Sequence, residues 1–227
     1  MIIKQNLTET ELQTNYQEFI KFVEKSFKGE RQEKLLKLYS EDQYGMAACM
    51  APASTCEHFH LAYPGGYLIH VMNVIKISAA QTKLFEMAGC EINYTDEERI
   101  FSAMHHDLGK LGDVDMGEYY VVQDENWKSR KGELYKLNPN IQYMEVTDRA
   151  IFILQKNMIP MTWKEYLGIK LADGMYNEAT SKYLKQFNPD MFLRTNLPRV
   201  IHAADYLACR AEFDSWKYSE PKTNMDK

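Results

Sequence analysis

Apolar positions recur with a helical period along most of this chain. Tyr67, Leu68, Val71, Val74 and Ile75 belong to a run that predicts a largely buried helix reaching about residue 88. Similar patterns predict helices over residues 8–27, 31–39, 147–157, 162–174 and 197–213, and one that follows residue 95. Three of these begin with threonine followed three residues later by glutamate, the signature of a capping box. The pattern therefore predicts an all-α fold, arranged as a helical bundle.

Two segments depart from the helical period. Residues 45–64 contain small residues and prolines, and we expect them to be irregular. Residues 112–140 are polar and rich in tyrosine, and residues 118–123 are predicted to pair with residues 133–135 as one small β-hairpin. No repeat or linker interrupts the chain, so we predict one domain over residues 1–227, with N-terminal helices in residues 1–45 packed on the core.

Composition narrows the class of protein. A chain of 227 residues that is 45% hydrophobic can bury one substantial core. Its net charge of −5 argues against a nucleic-acid partner but allows a small anionic substrate. The four cysteines form no CxxC pair and are expected to be free thiols, with a zinc–thiolate site as the alternative. The N-terminus lacks a signal-like apolar core, and no stretch approaches roughly 18 uninterrupted apolar residues, so we expect a cytoplasmic protein without a membrane partner.

The most informative residues are His70, the adjacent pair His106-Asp107, and Asp205. Helical bundles bring such side chains together between facing helices. An unpaired aspartate is costly to bury in an apolar helix, and a metal ion would serve as partner for both aspartates. Imidazole and carboxylate donors suit Mn, Fe, Co, Ni or Zn better than Mg or Ca, although Mg remains possible. These residues therefore predict one divalent metal ion.

Spacing alone leaves ordinary alternatives open. His70 could be a hydrogen-bonded histidine of the core. Asp205 could pair with His202, which lies three residues earlier on the same predicted helix.

Three segments resemble the HD-domain phosphohydrolase superfamily. They are Gly65-Gly66-Tyr67-Leu68-Ile69-His70, His106-Asp107-Leu108-Gly109-Lys110 and His202-Ala203-Ala204-Asp205-Tyr206-Leu207, and they follow one another in the superfamily's order. The matching stretch runs from about residue 58 to residue 210. The resemblance implies an all-helical fold, hydrolysis of phosphate esters or anhydrides, and a metal held by His70, His106, Asp107 and Asp205.

The resemblance also suggests catalytic and binding roles. Asp107 is expected to orient or deprotonate the attacking water, and Lys110 to clamp phosphate and stabilise charge in the transition state. His58 and His60 lie in an irregular segment, where binding residues concentrate, and His105 neighbours a predicted ligand. We therefore expect His58, His60, His105 and Lys110 to contact a small phosphorylated substrate, most simply a nucleotide.

Departures from the superfamily keep a second function open. Members with two metals carry extra histidines between the HD pair and the final aspartate, whereas this chain has none between His106 and His202. One metal is therefore favoured, with Asp173 as an outside candidate for a second-site ligand. Lys110 also stands where the nucleotidase branch often has an acid. The alternative is a metal-binding regulatory or ligand-sensing domain with little or no turnover.

Overall fold

The computed structural model describes residues 7–219, and within them the chain forms ten α-helices and one small hairpin. The helices are α1 (Glu9–Ser26), α2 (Gly29–Leu38), α3 (Met46–Met50), α4 (Gly66–Met87), α5 (Asp96–His105), α6 (Glu125–Lys131), α7 (Val146–Lys156), α8 (Trp163–Lys170), α9 (Glu178–Leu184) and α10 (Leu197–Ser219). The strands are β1 (Tyr120–Val122) and β2 (Tyr135–Leu137), which pair antiparallel. The predicted all-α fold with one small hairpin is confirmed.

The centre of the molecule is the long helix α4. It packs against α10 on one side and α5 on another, and α8 packs across both α5 and α10. Helix α7 lies against α8 and against the short 3₁₀ turn Leu108–Leu111 that follows α5. Because α4 has neighbours on several sides, its buried residues are not confined to one stripe, as its apolar sequence predicted.

The N-terminal helices cover another side of α4. Helix α1 packs against α2, α3 and α4, and Phe19 and Val23 of α1 are buried in the main core. Residues 1–6 and 220–227 of the predicted domain lie outside the described residues. No helix in the described part of the chain is long and apolar enough to cross a membrane.

The three capping boxes are confirmed at Thr8, Thr95 and Thr162. Other expectations need correction. Helices α3, α6 and α9 were not predicted, because helices of five to seven residues contain too few turns to show a period. Helix α2 begins at Gly29, two residues before its predicted start at residue 31.

The hairpin forms two residues away from the predicted pairing on its second strand. Tyr120 pairs with Leu137, and Val122 with Tyr135, because helix α6 fills the connection between the strands. The backbone N–H groups of Leu134 and Tyr135 both donate to the Thr55 carbonyl, at 2.8 and 3.1 Å. The hairpin is therefore tied to the irregular segment that precedes α4.

Candidate metal centre

Three helices converge on one point and bring the predicted ligands with them. His70 lies one turn into α4, His106 and Asp107 lie where α5 ends, and Asp205 lies near the middle of α10. The start of α4 depends on a close backbone approach, since a Cβ on Gly66 would stand 2.0 Å from the Leu61 carbonyl oxygen. The Gly-Gly pair of the first segment therefore sets the position from which His70 reaches the centre.

The ligand atoms lie at the separations expected around one ion. The two Nε2 atoms of His70 and His106 are 3.3 Å apart. Asp107 Oδ2 is 3.5 Å from each of them, and Asp205 Oδ1 is 3.1 Å from His70 Nε2 and 3.7 Å from His106 Nε2. Ligands bound at about 2.0–2.1 Å around a tetrahedral ion stand ~3.3–3.4 Å from one another. His70, His106 and Asp205 therefore form a group that could hold a metal ion, and Asp107 Oδ2 lies close to both imidazoles.

Both imidazole rings are held with Nε2 directed to that position. His70 Nδ1 lies 3.0 Å from Glu212 Oε2, and the other Glu212 oxygen accepts a 2.8 Å hydrogen bond from Asn73. His106 Nδ1 lies 2.8 Å from the Ala103 carbonyl oxygen, which can only accept, so this nitrogen carries the proton. Occupied Nδ1 atoms of this kind orient histidine ligands in metal sites and fix their tautomer.

The charges of the centre balance through short contacts. Burial alone opposes protonation of His70, but Glu212 and Asp205 outweigh it and raise its pKa to about 10. Burial likewise opposes protonation of His106, whose pKa is nevertheless raised by Asp107 and Asp205. Burial would raise the pKa values of both aspartates, yet the nearby cations lower them. The carboxylates are therefore ionised and retain protons on the facing histidines.

A divalent cation fits this set of groups in charge as well as in geometry. With the Nε2 atoms of His70 and His106 only 3.3 Å apart, two protonated nitrogens would place two hydrogen-bond donors against each other. A dication that takes the place of two imidazolium protons leaves the net charge of the centre unchanged and converts both rings to neutral ligands. Nitrogen and oxygen donors together favour a transition metal over Ca or Mg.

Lys110 is tied to the same centre. Its Nζ donates to Asp107 Oδ2 at 2.6 Å and to the Ala53 carbonyl at 2.7 Å. The lysine follows Asp107 by one 3₁₀ turn, so the backbone places the two side chains next to each other. Lys110 thus holds the Asp107 carboxylate, and it also lines the cavity beside it.

A cavity of about 640 Å³ opens onto the centre. Asp107, Asp205 and His60 line it, together with Lys110 and Asp173. Burial, and after it the charge of Asp107, raises the pKa of the Asp173 carboxyl. Burial also lowers the pKa of His60 to about 2, so this ring is neutral. The structure therefore brings His60 and Lys110, two of the four predicted substrate contacts, to the centre.

The other two predicted contacts lie elsewhere. His105 is fully buried, with its ring stacked on Tyr39 at 6.1 Å and packed on Phe101 at 4.3 Å. The expectation that His105 contacts substrate is wrong, because consecutive helical residues point about 100° apart and His106 takes the direction of the site. His58 is exposed next to Phe59 and lines neither this cavity nor a smaller one beside the hairpin.

The structure bears on two alternatives, a pair between Asp205 and His202 and an ordinary core role for His70. His202 Nδ1 lies 2.9 Å from the Ala172 carbonyl oxygen, and Asp205 faces His70 and His106 rather than His202. His70 has a carboxylate partner on each ring nitrogen, as a hydrogen-bonded core histidine would. A simple core histidine, however, does not need a second imidazole beside it, and His106 Nε2 lies 3.3 Å from His70 Nε2.

Sequence reasoning missed the groups that support the ligands. Glu212 is 2% exposed and lies seven residues after Asp205, two helical turns along the same face of α10. Cys209 lies four residues after Asp205, and its Sγ is 3.5 Å from Asp205 Oδ1. The helical spacing of these polar residues from Asp205 is the sequence signal that identifies both as candidates.

The chain matches no protein-family model, no curated protein and no solved structure. The resemblance to the HD-domain superfamily therefore rests on the three sequence segments alone.

Proposed function

We propose that this protein is a metal-dependent hydrolase of phosphate esters or anhydrides, of the HD-domain type. One observation carries the proposal: His70 Nε2, His106 Nε2 and Asp205 Oδ1 lie within 3.1–3.7 Å of one another, with Asp107 Oδ2 3.5 Å from both histidines, beside an open cavity. His70, His106, Asp107 and Asp205 would hold one divalent transition metal. When bound, such an ion polarises a phosphoryl oxygen and acidifies water.

Asp107 and Lys110 would act as a pair in the reaction. Asp107 Oδ2 faces the two histidines and is held from the other side by Lys110, so the carboxylate can accept a hydrogen bond from water next to the centre. Lys110 lines the cavity, and its ammonium would stabilise negative charge that grows on the phosphoryl oxygens.

Asp173 is our candidate for the proton donor to the leaving oxygen. It lines the cavity shared by Asp107 and Asp205, and its raised pKa favours the protonated form that a general acid needs. This assigns to Asp173 the acid function that Lys110 cannot provide at its own position. The proposed substrate is a small phosphorylated compound such as a nucleotide, with His60 as a neutral hydrogen-bonding contact.

The test is turnover by metal-loaded protein on a panel of phosphate compounds that includes nucleoside mono-, di- and triphosphates and cyclic nucleotides. We expect phosphate release with Mn, Fe, Co or Ni, and loss of turnover in Asp107→Asn. Asp214→Asn is the matched control, because Asp214 is exposed on α10 and should leave the rate unchanged. Absence of hydrolysis across the panel with every metal would contradict the enzymatic proposal.

One observation favours the regulatory alternative. Both hydrogen-bond acceptors of Lys110 come from the chain itself, so its charge is already neutralised by Asp107. A domain that binds metal or ligand without turnover could retain this ion pair permanently. In that case the metal would bind and stabilise the protein, while Lys110→Met would change neither phosphate binding nor any hydrolysis rate.

A further inference from the structure

We propose that His60, Cys209 and His70 form an alternative position for a soft divalent cation such as Zn²⁺ or Cd²⁺, and that a cation bound there excludes one from the main centre. The proposal shares His70 with the proposed function but does not depend on hydrolysis. It concerns which divalent ions bind at each of the two positions.

The geometry matches a tetrahedral site with one sulfur ligand. Cys209 Sγ is 3.8 Å from His60 Nε2 and 3.5 Å from Asp205 Oδ1. Around an ion with bonds of ~2.3 Å to sulfur and ~2.1 Å to nitrogen or oxygen, a sulfur stands ~3.6 Å from its neighbouring ligands. The ligand atoms of His60, His70 and Cys209 all lie within 4.8 Å of one another. Asp205 Oδ1 lies beside this group, 3.1 Å from His70 Nε2.

The two positions compete because they need the same atom. Glu212 occupies His70 Nδ1, which leaves Nε2 as the nitrogen that faces both groups of ligands. One Nε2 lone pair binds one ion at a time. A cation between His60 and Cys209 therefore removes His70 from His106 and Asp107.

Ligand softness would decide which position an ion prefers. The main centre offers only nitrogen and oxygen, which suit Mn²⁺ and Fe²⁺, whereas the second set adds a thiolate that Zn²⁺ and Cd²⁺ prefer. Both His60 and Cys209 line the open cavity, so an ion can reach them from solvent. On coordination the Cys209 thiol loses its proton to solvent. Soft ions would then act as inhibitors of the ion that supports activity.

The experiment titrates Cd²⁺ into the Mn²⁺-loaded protein. Thiolate coordination is followed by its ultraviolet charge-transfer absorption, and Mn²⁺ release by electron paramagnetic resonance. We expect one thiolate-bound Cd²⁺ and one released Mn²⁺ per chain. Cys209→Ser should abolish the absorption and weaken Cd²⁺ binding by more than the roughly 10-fold that an outer contact contributes. Because the serine hydroxyl can still donate to Asp205, the variant's Mn²⁺ affinity should fall by less than its Cd²⁺ affinity.

Cys56→Ser is the matched control, because Cys56 is also a half-buried free thiol but lies beside the hairpin. It should keep both the absorption and the Mn²⁺ release. His60→Asn is a second test, in case Cys209→Ser does not fold, and it should weaken Cd²⁺ while sparing Mn²⁺. Persistence of the absorption in Cys209→Ser, or Cd²⁺ binding with Mn²⁺ retained, would overturn the proposal. Failure of wild-type protein to bind Mn²⁺ would instead count against the proposed function.

Discussion

Replacing Glu212 with glutamine should weaken metal binding without removing any ligand. Glu212 is 2% exposed, and its two carboxylate oxygens each face a group that can donate: His70 Nδ1 at 3.0 Å and the Asn73 amide at 2.8 Å. A carboxylate accepts from both. A glutamine has one oxygen and one NH₂ group, so it can accept from only one of the two.

Either orientation of the glutamine carries a cost. If its NH₂ faces His70, the ring must become an acceptor at Nδ1, and Nε2 then holds the proton that blocks metal binding. If its NH₂ faces Asn73, two buried donors oppose each other. Loss of such an outer contact typically reduces metal affinity about 10- to 100-fold, or ~1.4–2.7 kcal/mol.

The assay is a competition titration of Mn²⁺ or Zn²⁺ against a chelator, with circular dichroism to verify that the helices persist. Asp214→Asn removes an exposed carboxylate from the same helix and should change the affinity by less than about twofold. A Glu212→Gln protein that binds metal as tightly as the wild type would refute the argument that Glu212 fixes the His70 ring.

Three further outcomes follow from the structure. The pKa of His70 is raised to about 10 without an ion, so metal binding at pH 7.5 should release at least one proton per ion. Calorimetry in buffers of different ionisation enthalpy measures this release. Metal binding without proton release would contradict the charge balance. Burial lowers the pKa of His105 to about 3, so its contribution to stability is complete above the unfolded value near 6.5 and is lost as the pH falls below it. Between pH 7 and pH 5, the unfolding free energy of the wild type should therefore fall by about 2 kcal/mol more than that of His105→Phe. Equal falls for the two proteins in urea titrations would contradict this. A Cβ on Gly109 would lie 2.1 Å from the Val146 carbonyl oxygen, so Gly109→Ala should lower the unfolding free energy by about 1–3 kcal/mol, and wild-type stability would be inconsistent with that contact.

The long elements were predictable because their signals are local. The capping threonines Thr8, Thr95 and Thr162 and the apolar run of α4 identify helices from a few adjacent residues. Short helices such as α6 and α9 depend on caps and on tertiary contacts, which a periodicity cannot reveal. The hairpin shifted for a related reason, since Thr55 of a distant segment fixes its second strand.

Residue types and their order along the chain were enough to name the candidate metal ligands. His70, His106 and Asp205 come together as a group that could hold a metal ion, and Asp107 Oδ2 is 3.5 Å from both histidines. Which neighbour of a ligand faces the site depends on helix orientation, and this is why His105 was assigned to the cavity although it packs in the core. Helical spacing from Asp205 marks Glu212 and Cys209 as candidates, but their contacts with His70 and His60 become visible only in the folded structure.

The most direct test of this account is anomalous scattering from crystals of protein loaded with a single transition metal, combined with elemental analysis. We predict one Mn, Fe or Co ion per chain, bonded to His70 Nε2, His106 Nε2 and carboxylate oxygens of Asp107 and Asp205. Asp205→Asn should abolish the anomalous peak. A protein that binds no metal at this point after reloading, with the helices intact, would contradict the central claim that these four side chains form a metal centre.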